Sequence, residues 1–268
     1  MKLLSFHYHL RITMDAPVSA HHFTLRCTPV SDARQRIVQM QEFVFPEDSL
    51  SRGRDQWGNA LLYGCYCAPH TAFEADVCGK AAVGLSDGVP AKPFEQERIF
   101  GFATPLTEAD GALCSFAERL HIRSGAPDEA EAVMRAVYGA ISYQPGATGV
   151  QTTAAEAFSL GRGVCQDYAH IMLALLRVSN VPCRYVAGML LGEGKSHAWV
   201  EVLHDGRWTA YDPTNCLVVS DGHIKLSHGR DARDCAINRG VFRGGAQQKT
   251  DISVIVTEDE GSEEKQPW

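Results

Sequence analysis

Short runs in which apolar and polar residues alternate fill the chain from its start to about residue 101. This alternation is typical of strands that bury one face, and turn-forming clusters separate the runs. The opening run is interrupted by His7, His9 and Arg11, which indicates a first strand rather than a signal peptide. Further strand-like runs are FTLRC at 23–27, IVQMQEFVF at 37–45, ALLYGCYC at 60–67 and ERIFGFA at 97–103. The pattern predicts an antiparallel β-sandwich of about 100 residues.

The hydrophobic period changes to that of helices after Thr104 and Pro105. Helices are predicted over residues 106–124 and 127–141, and Pro127 suits the first turn of the second one. A short helix is predicted over residues 154–160, where the glycines of GRG at 161–163 end it.

A longer helix is predicted to begin at Cys165 and to end near Ser179. Its body, YAHIMLALLRV, is apolar on almost every face, which predicts burial at the centre of a domain. Strand-like runs follow at 183–190, 197–204 and 207–211. Asp205-Gly206 joins the last two, and this dipeptide is a strong hairpin signal. The second part of the chain is therefore predicted to pack a buried helix on an antiparallel sheet.

Composition and charge exclude several classes of protein. The chain has 268 residues, of which 45% are hydrophobic and 21% charged, as in ordinary globular proteins rather than disordered, collagenous or membrane-spanning ones. The net charge is −7, and the segment 258–268 carries about four of these negative charges. The remaining field is weak and no basic patch is visible, so neither a nucleic acid nor a membrane is expected as a partner.

Nine cysteines are scattered along the chain, and their number is odd. In a chain of this length without an export signal, this usage favours reduced thiols and a cytoplasmic location. Cys65 and Cys67 lie near His70 and Cys78, but they lack the spacing of a zinc site. No metal site is predicted. All cysteines except Cys165 are expected to be packing residues.

Cys165 is the candidate nucleophile. At a helix N-terminus its thiolate is favoured by the positive end of the helix dipole. An activated thiol also needs a base that a third group orients. In a symmetric hairpin centred on Asp205-Gly206, His197 and Asp212 are diagonal neighbours on one face, about 7–8 Å apart at Cα. A three-residue bulged loop would shift this register.

These positions suggest roles in acyl transfer through a thioester. Cys165 attacks, His197 acts as general base and then as general acid, and Asp212 orients His197. The backbone N–H of Cys165 is one candidate oxyanion donor, and the sequence does not identify a second. The expected substrate is a peptide or protein amide, and the sequence leaves the oligomeric state open.

Four segments resemble the transglutaminase-like core of the papain-like cysteine enzyme superfamily: GRGVCQDYAHIMLALLR, VPCRYVAGML, SHAWVEV and RWTAYDPTN. Cys165 corresponds to the cysteine of GVCxDYA, His197 to the histidine of HAWVE and Asp212 to the aspartate of WxxxDPT. The resemblance spans about 130–220, and RGVFRGG before ISVIV is similar to the bacterial branch. DQWGN and APH, both before residue 71, resemble the β-rich domain that precedes this core in bacterial members.

The resemblance implies an α+β protein with an N-terminal β-sandwich at 1–103, a papain-like transglutaminase core at 104–257 and an acidic disordered tail at 258–268. Bacterial members are regarded as candidate cysteine proteases, which favours hydrolysis of a peptide or amide bond. Cross-linking and deamidation with the same triad are alternatives, and a non-catalytic binding or scaffold module is another. No cofactor is expected, because no acid-rich loop resembles the calcium loop of an EF-hand.

Two further residues are candidates for lining the site. Trp199 shares a strand face with His197, and core packing is an equally open interpretation of it. Gln166 follows Cys165 in the first helical turn. Asp167 is expected to cap this helix without a catalytic role, His170 to be buried and hydrogen-bonded, and His223 to lie at the surface.

Overall fold

The computed structural model describes residues 1–91 and 98–259. Within this part of the chain, four α-helices and sixteen strands form an α+β fold, as the sequence predicts. None of the described helices is long and apolar enough to cross a membrane. The helices are α1 (Gly111–Leu120), α2 (Pro127–Ala140), α3 (Ala154–Leu160) and α4 (Cys165–Val178), and a 3₁₀ turn spans Ile99–Gly101. The strands are β1 (Lys2–Leu25), β2 (Gln35–Phe45), β3 (Ser49–Arg54), β4 (Ala60–Tyr66), β5 (His70–Val83), β6 (Val89–Pro90), β7 (Ser142–Tyr143), β8 (Arg162–Gly163), β9 (Cys183–Leu190), β10 (Gly192–Gly194), β11 (His197–His204), β12 (Arg207–Asp212), β13 (Leu217–Val218), β14 (His223–Gly229), β15 (Asn238–Arg243) and β16 (Gln248–Glu258).

A first antiparallel sheet is built around β1, which is one continuous strand of 24 residues. Its first half pairs with β5 on one side and β16 on the other, and its second half pairs with β4 and β15. The register of β1 against β5 shifts between Thr13 and Val18. Pro17 lies in this interval, where its missing N–H costs no ladder hydrogen bond.

The predicted alternation is visible in the burial of β1. Leu4, Phe6, Tyr8, Leu10 and Ile12 are buried, while the residues between them are exposed or half-buried. They pack in one core with apolar side chains of β5 and β16. The first sheet is therefore held together by burial of one strand face.

A second antiparallel sheet has the order β13-β12-β11-β9-β14, and β6 pairs with β12. Helix α4 lies on one face of this sheet, and α1, α2 and α3 pack around the helix. Residues 167–177 of α4 are all buried. The predicted central helix is thus confirmed, and its burial fixes the position of its first residue, Cys165.

The hairpin of β11 and β12 has the predicted register, since Val200 pairs with Tyr211 and His204 with Arg207. Asp205 and Gly206 have φ values of 47° and 71°. Positive φ at both central residues is what a two-residue type I′ turn requires. The bulged alternative, which would have moved His197 away from Asp212, is therefore excluded.

The two faces of the second sheet have different neighbours. We call the face toward α4 the inner face; Ala198, Val200 and Val202 lie on it. The opposite, outer face is covered by the first sheet and its loops. There the Gln35 side chain donates to the Lys225 carbonyl and accepts from the Lys225 N–H, at 2.9 and 2.8 Å.

The two predicted domains are interlocked in the structure. β15 and β16, which fall in the predicted second domain, pair with β1 in the first sheet. Their apolar positions, such as Val254 and Val256, complete the core under β1. Strands β15 and β16 are therefore a structural part of the first unit, which sequence order alone did not indicate.

Three details of the predicted boundaries are corrected. Glu258, assigned to the disordered tail, ends β16 and pairs with Leu4, and residues 260–268 lie outside the described residues. The sequence predicts a strand at 97–103, but the structure has a 3₁₀ turn at Ile99–Gly101 instead. Phe100 of this turn packs on Trp57 and Trp208. Glu97 lies outside the described residues. The first helix begins at Gly111 rather than at residue 106, because the Asp110 side chain caps it by accepting from the Leu113 N–H.

Candidate active site

The N-terminus of α4 is shaped by Asp167, the third residue of the helix. Its carboxylate accepts hydrogen bonds from the Val164 N–H at 2.7 Å and the Thr148 hydroxyl at 2.6 Å. A Cβ on Gly163 would lie only 2.5 Å from Asp167 Oδ2, so glycine is required for this approach. The cap holds the chain before Cys165 in one conformation and leaves that thiol half-buried.

Burial raises the pKa of Asp167, although its hydrogen bonds oppose this effect. The carboxylate is engaged by Val164 and Thr148, as expected for a helix cap. The sequence prediction that Asp167 serves the helix rather than the chemistry agrees with these contacts.

His197 is the first residue of β11, and its Nε2 lies 2.7 Å from Asp212 Oδ2. Burial alone would lower the pKa of His197, but hydrogen bonds and charges of Asp212 and Cys165 raise it to about 9. Because Nε2 is engaged by Asp212, Nδ1 is the nitrogen left for Cys165. The structure thus brings the imidazole under the influence of both predicted partners.

Asp212 ends β12 and is fully buried. One carboxylate oxygen, Oδ1, accepts from the backbone N–H groups of Thr214 and Asn215 at 3.0 and 3.1 Å. This is the local side-chain-to-backbone turn that aspartate favours. Burial would raise the pKa of Asp212, but its hydrogen bonds, above all that with His197, lower it below its usual range. The residue is therefore held as a carboxylate.

Two residues that hold Asp212 were missed by sequence reasoning. Oδ2 of Asp212 lies 2.8 Å from Asn215 Nδ2 and 3.1 Å from His223 Nε2, in addition to His197. Asn215 could have been found from the Asp-x-x-Asn spacing, which is typical of a side-chain turn.

The prediction that His223 is a surface residue is wrong. It is buried at the start of β14, where it pairs with Leu190 of β9. Burial lowers the pKa of His223, which holds it as a neutral imidazole. No local pattern marks this residue, because a non-sequential strand pair brings it to Asp212.

The two predicted lining residues differ in their surroundings. Trp199 is buried, and its ring lies 6.3 Å from the ring of His197 and 5.2 Å from that of His223. It therefore packs against the candidate site and shields it from water on the outer face. Gln166 is half-buried in the first turn of α4, beside Cys165. Contact of either side chain with a substrate stays a prediction.

His170 agrees with its predicted structural role. It is fully buried in α4, and its Nε2 accepts from the Ala232 N–H at 3.2 Å. Burial lowers its pKa to about 4, so it is neutral at physiological pH.

His197, Asp212 and His223 could also serve as metal ligands, since one ligand atom of each lies within 4.8 Å of the others. Both imidazoles are already hydrogen-bonded to the same carboxylate oxygen. A metal would have to replace both hydrogen bonds, and it would bind the His197 imidazole that faces Cys165. The existing hydrogen bonds therefore fit a proton-transfer site better than a metal centre.

Two family models match the chain. The model of the transglutaminase-like superfamily matches residues 115–213, which include Cys165, His197 and Asp212. The model of the bacterial transglutaminase-like N-terminal region matches residues 4–81, within the first sheet. Both parts of the chain thus have their own family match.

Similar proteins cover nearly the whole chain. An uncharacterised protein from Mycobacterium leprae is 29% identical over 265 residues, covering 91% of this chain and 94% of that protein. A Mycobacterium tuberculosis protein is 27% identical over 269 residues, with coverages of 87% and 86%. The crystal structure of a "putative cysteine protease" from Cytophaga hutchinsonii has a TM-score of 0.79 at 21% identity, covering 97% of this chain and 92% of that one. This last similarity shows that the complete fold is shared.

Proposed function

Because residues 115–213 match the transglutaminase-like superfamily and residues 4–81 match the N-terminal region of its bacterial members, we propose that the chain is a cysteine-dependent acyl-transfer enzyme. The proposed catalytic residues are Cys165, His197 and Asp212. The observation that carries the proposal is the contact of His197 Nε2 with Asp212 Oδ2, at 2.7 Å, next to Cys165 at the first turn of α4. Hydrogen bonds with Asp212 and Cys165 raise the pKa of His197 to about 9 against the effect of burial. An imidazolium beside a thiol stabilises the thiolate, which is the reactive form.

In the first half of the reaction, Cys165 Sγ adds to the carbonyl carbon of an amide. The C–N bond then breaks, His197 donates its proton to the departing amine, and a thioester remains. The backbone N–H of Cys165, at the positive end of α4, is the donor proposed to stabilise the oxyanion. In the second half, His197 takes a proton from water, the resulting hydroxide adds to the thioester, and the acid leaves with Cys165 restored as the thiolate.

Asp212 orients the imidazole, and Asn215 and His223 act through Asp212 as positioning residues. The five hydrogen bonds that reach the Asp212 carboxylate keep it charged and immobile. A fixed carboxylate keeps Nε2–H of His197 as the donor and leaves Nδ1 to exchange the proton with Cys165.

Hydrolysis of a peptide or amide bond is the proposed outcome. The description of the similar Cytophaga hutchinsonii protein as a "putative cysteine protease" supports water as the acceptor. An amine acceptor would give cross-linking, and a glutamine side chain as donor with water would give deamidation. Incubation with a casein-derived peptide pool, with and without a biotinylated primary amine, distinguishes the three by mass spectrometry. New peptide termini are the result expected.

The first experiment tests the nucleophile and needs no substrate. Limiting iodoacetamide at pH 7 is followed by peptide mapping of the alkylated cysteines. Although Cys165 is half-buried, we expect it to react at least about tenfold faster than the exposed Cys67, because only a thiolate attacks. His197→Ala should abolish this advantage, and His204→Ala, at the exposed end of the same strand, should not.

If Cys165 reacts no faster than Cys67, the catalytic proposal fails, and a binding or scaffold role becomes the better account. A chelator distinguishes the proposed reaction from a metal-dependent one. A metal-dependent reaction would lose activity in EDTA. The proposed thiol chemistry is unaffected by EDTA and is lost in Cys165→Ala.

The pH dependence follows from His197. With a pKa of about 9 in the folded chain, His197 is an imidazolium at neutral pH and loses its proton as the pH rises through about 9. The acid for the leaving amine is lost with it, so kcat/KM should fall on the alkaline side with a midpoint near that value. Because the folded pKa is raised, the same proton stabilises the fold below about pH 6.5, and this contribution also disappears through about pH 9.

A further inference from the structure

A cavity of about 440 Å³ lies between loops of the first sheet and the outer face of the second sheet. One side is formed by the turn that contains Trp57 and by Phe100, and the other by Arg184, Trp208 and Lys225. Its volume is that of a site for a small organic molecule. Cys165, His197 and Asp212 are not among its lining residues, so the cavity is separate from the candidate active site.

The apolar part of the cavity is aromatic. Trp57 lies 5.1 Å from Phe100, and Phe100 lies 5.4 Å from Trp208, measured between ring centroids. The indole Nε1 of Trp57 is buried without a hydrogen-bond partner. Flat aromatic walls of this kind bind a flat apolar group by contact and exclusion of water.

The polar part of the cavity is a buried cluster with two cations and one anion. Arg184 Nε and Lys225 Nζ lie 2.6 and 2.8 Å from the same oxygen of Glu201. The guanidinium of Arg184 also lies 4.2 Å from the ring centroid of Trp208. Two positive groups thus share the Glu201 carboxylate, and the charge of Asp32 also acts on Lys225.

Most of the charged residues that line the cavity are cations. Arg54, Arg184 and Lys225 line it, against one acid, Asp32, while Glu201 is not among the lining residues. Asp32 Oδ1 is occupied by the backbone N–H groups of residues 34 and 35. The cavity therefore presents net positive charge beside its aromatic walls.

We propose that this cavity is a binding site for a small aromatic carboxylate. The ring packs against the aromatic wall formed by Trp57, Phe100 and Trp208, and the carboxylate approaches Arg184 and Lys225. Such a ligand complements the excess of cations among the lining residues, and a cation is repelled. The site does not depend on the proposed catalysis.

The test uses the full chain and three probes that differ only in charge: 4-phenylbutyrate, 4-phenylbutan-1-ol and 4-phenylbutylamine. Isothermal titration calorimetry measures their affinities, with tryptophan fluorescence as a second readout. We expect one bound phenylbutyrate, an affinity at least about tenfold above that of the alcohol, and no binding of the amine. Equal affinities for the three probes, or no bound phenylbutyrate at millimolar concentration, overturn the proposal.

Variants locate the site. Ile99 lines the cavity, and Ile99→Trp should fill it and abolish binding. Val150→Trp introduces the same side chain at an exposed position outside the cavity and should leave binding unchanged. Lys225→Met keeps the apolar stem, and it should remove the preference of the acid over the alcohol. Cys165→Ala should bind as the wild type does, since loss of binding there would place the probe at the candidate active site and overturn the proposal.

Discussion

The inner and outer faces of the second sheet are formed by the same strands, but they carry different side chains and pack against different neighbours. Along β11, Ala198 and Val200 face α4 and pack in an apolar core, while Trp199 and Glu201 lie beside residues 32–35 at the start of β2. On the outer face Glu201 is enclosed with two cations, and Asp212 with two imidazoles. The two faces meet where α4 begins and β12 ends, at the candidate active site.

This difference indicates how such a site is built. Apolar packing on the inner face fixes the position of α4 and therefore of Cys165, and it requires only shape and volume. The outer face fixes charged groups, which must be paired because burial of an unpaired charge is costly. We therefore expect substitutions on the outer face to have the larger effects on activity and charge-dependent stability.

The largest effect is expected for Asp212→Asn. The backbone N–H groups of Thr214 and Asn215 would hold the new amide oxygen, so its NH₂ group would face His197. His197 would then have to carry its proton on Nδ1, toward Cys165, and could not act as a base. We expect kcat/KM for peptide hydrolysis to fall by about 10³- to 10⁴-fold with little change in fold. Activity within about tenfold of the wild type would exclude Asp212 as the orienting residue.

A second prediction compares neighbouring residues on opposite faces. Glu201→Gln leaves Arg184 and Lys225 buried without their counter-charge, which should lower the free energy of unfolding by about 3–5 kcal/mol. Val200→Ala on the inner face removes only apolar volume and should cost about 2 kcal/mol. Urea unfolding followed by circular dichroism measures both. Equal costs would mean that the two faces do not differ as described.

The order of elements and the core of the site could be predicted from local pattern. The bounds of α3, β9 and β11 agree with the predicted ones to the residue. Each has a clear sequence signal at one end: Gly161 after α3, Pro182 before β9 and the Asp205-Gly206 turn after β11. The pairing of His197 with Asp212 followed from the two-residue turn at Asp205-Gly206, since a hairpin register is fixed locally.

Features that depend on distant parts of the chain could not be predicted in this way. His223 reaches Asp212 only because β14 pairs with β9, across a register shift between Lys225 and Ser227. β16 joins β1 across more than two hundred residues, and its alternation does not indicate which strand it will pair with. The buried cluster at Glu201 likewise draws its cations from two other strands.

His223→Ala is expected to have a smaller effect than Asp212→Asn. It removes one hydrogen bond to a buried carboxylate, which corresponds to a loss of about 10- to 100-fold in kcat/KM. His223→Gln can restore a donor and should recover part of the activity. If His223 had a purely structural role, both variants would lose stability equally and His223→Gln would not recover activity. Thermal unfolding of both variants is therefore measured together with kcat/KM.

The smallest expected effect lies in the apolar core between α4 and the inner face, at a polar contact. The buried Tyr168 of α4 donates its hydroxyl to the Ile141 carbonyl at 2.8 Å. Tyr168→Phe keeps the ring in the core and removes only this hydrogen bond, so the free energy of unfolding should fall by about 1 kcal/mol. Alkylation of Cys165 should be unchanged, because volume rather than charge positions α4. A loss of Cys165 reactivity in this variant would show that the inner face also controls the chemistry through polar contacts, and the division between the two faces would have to be abandoned.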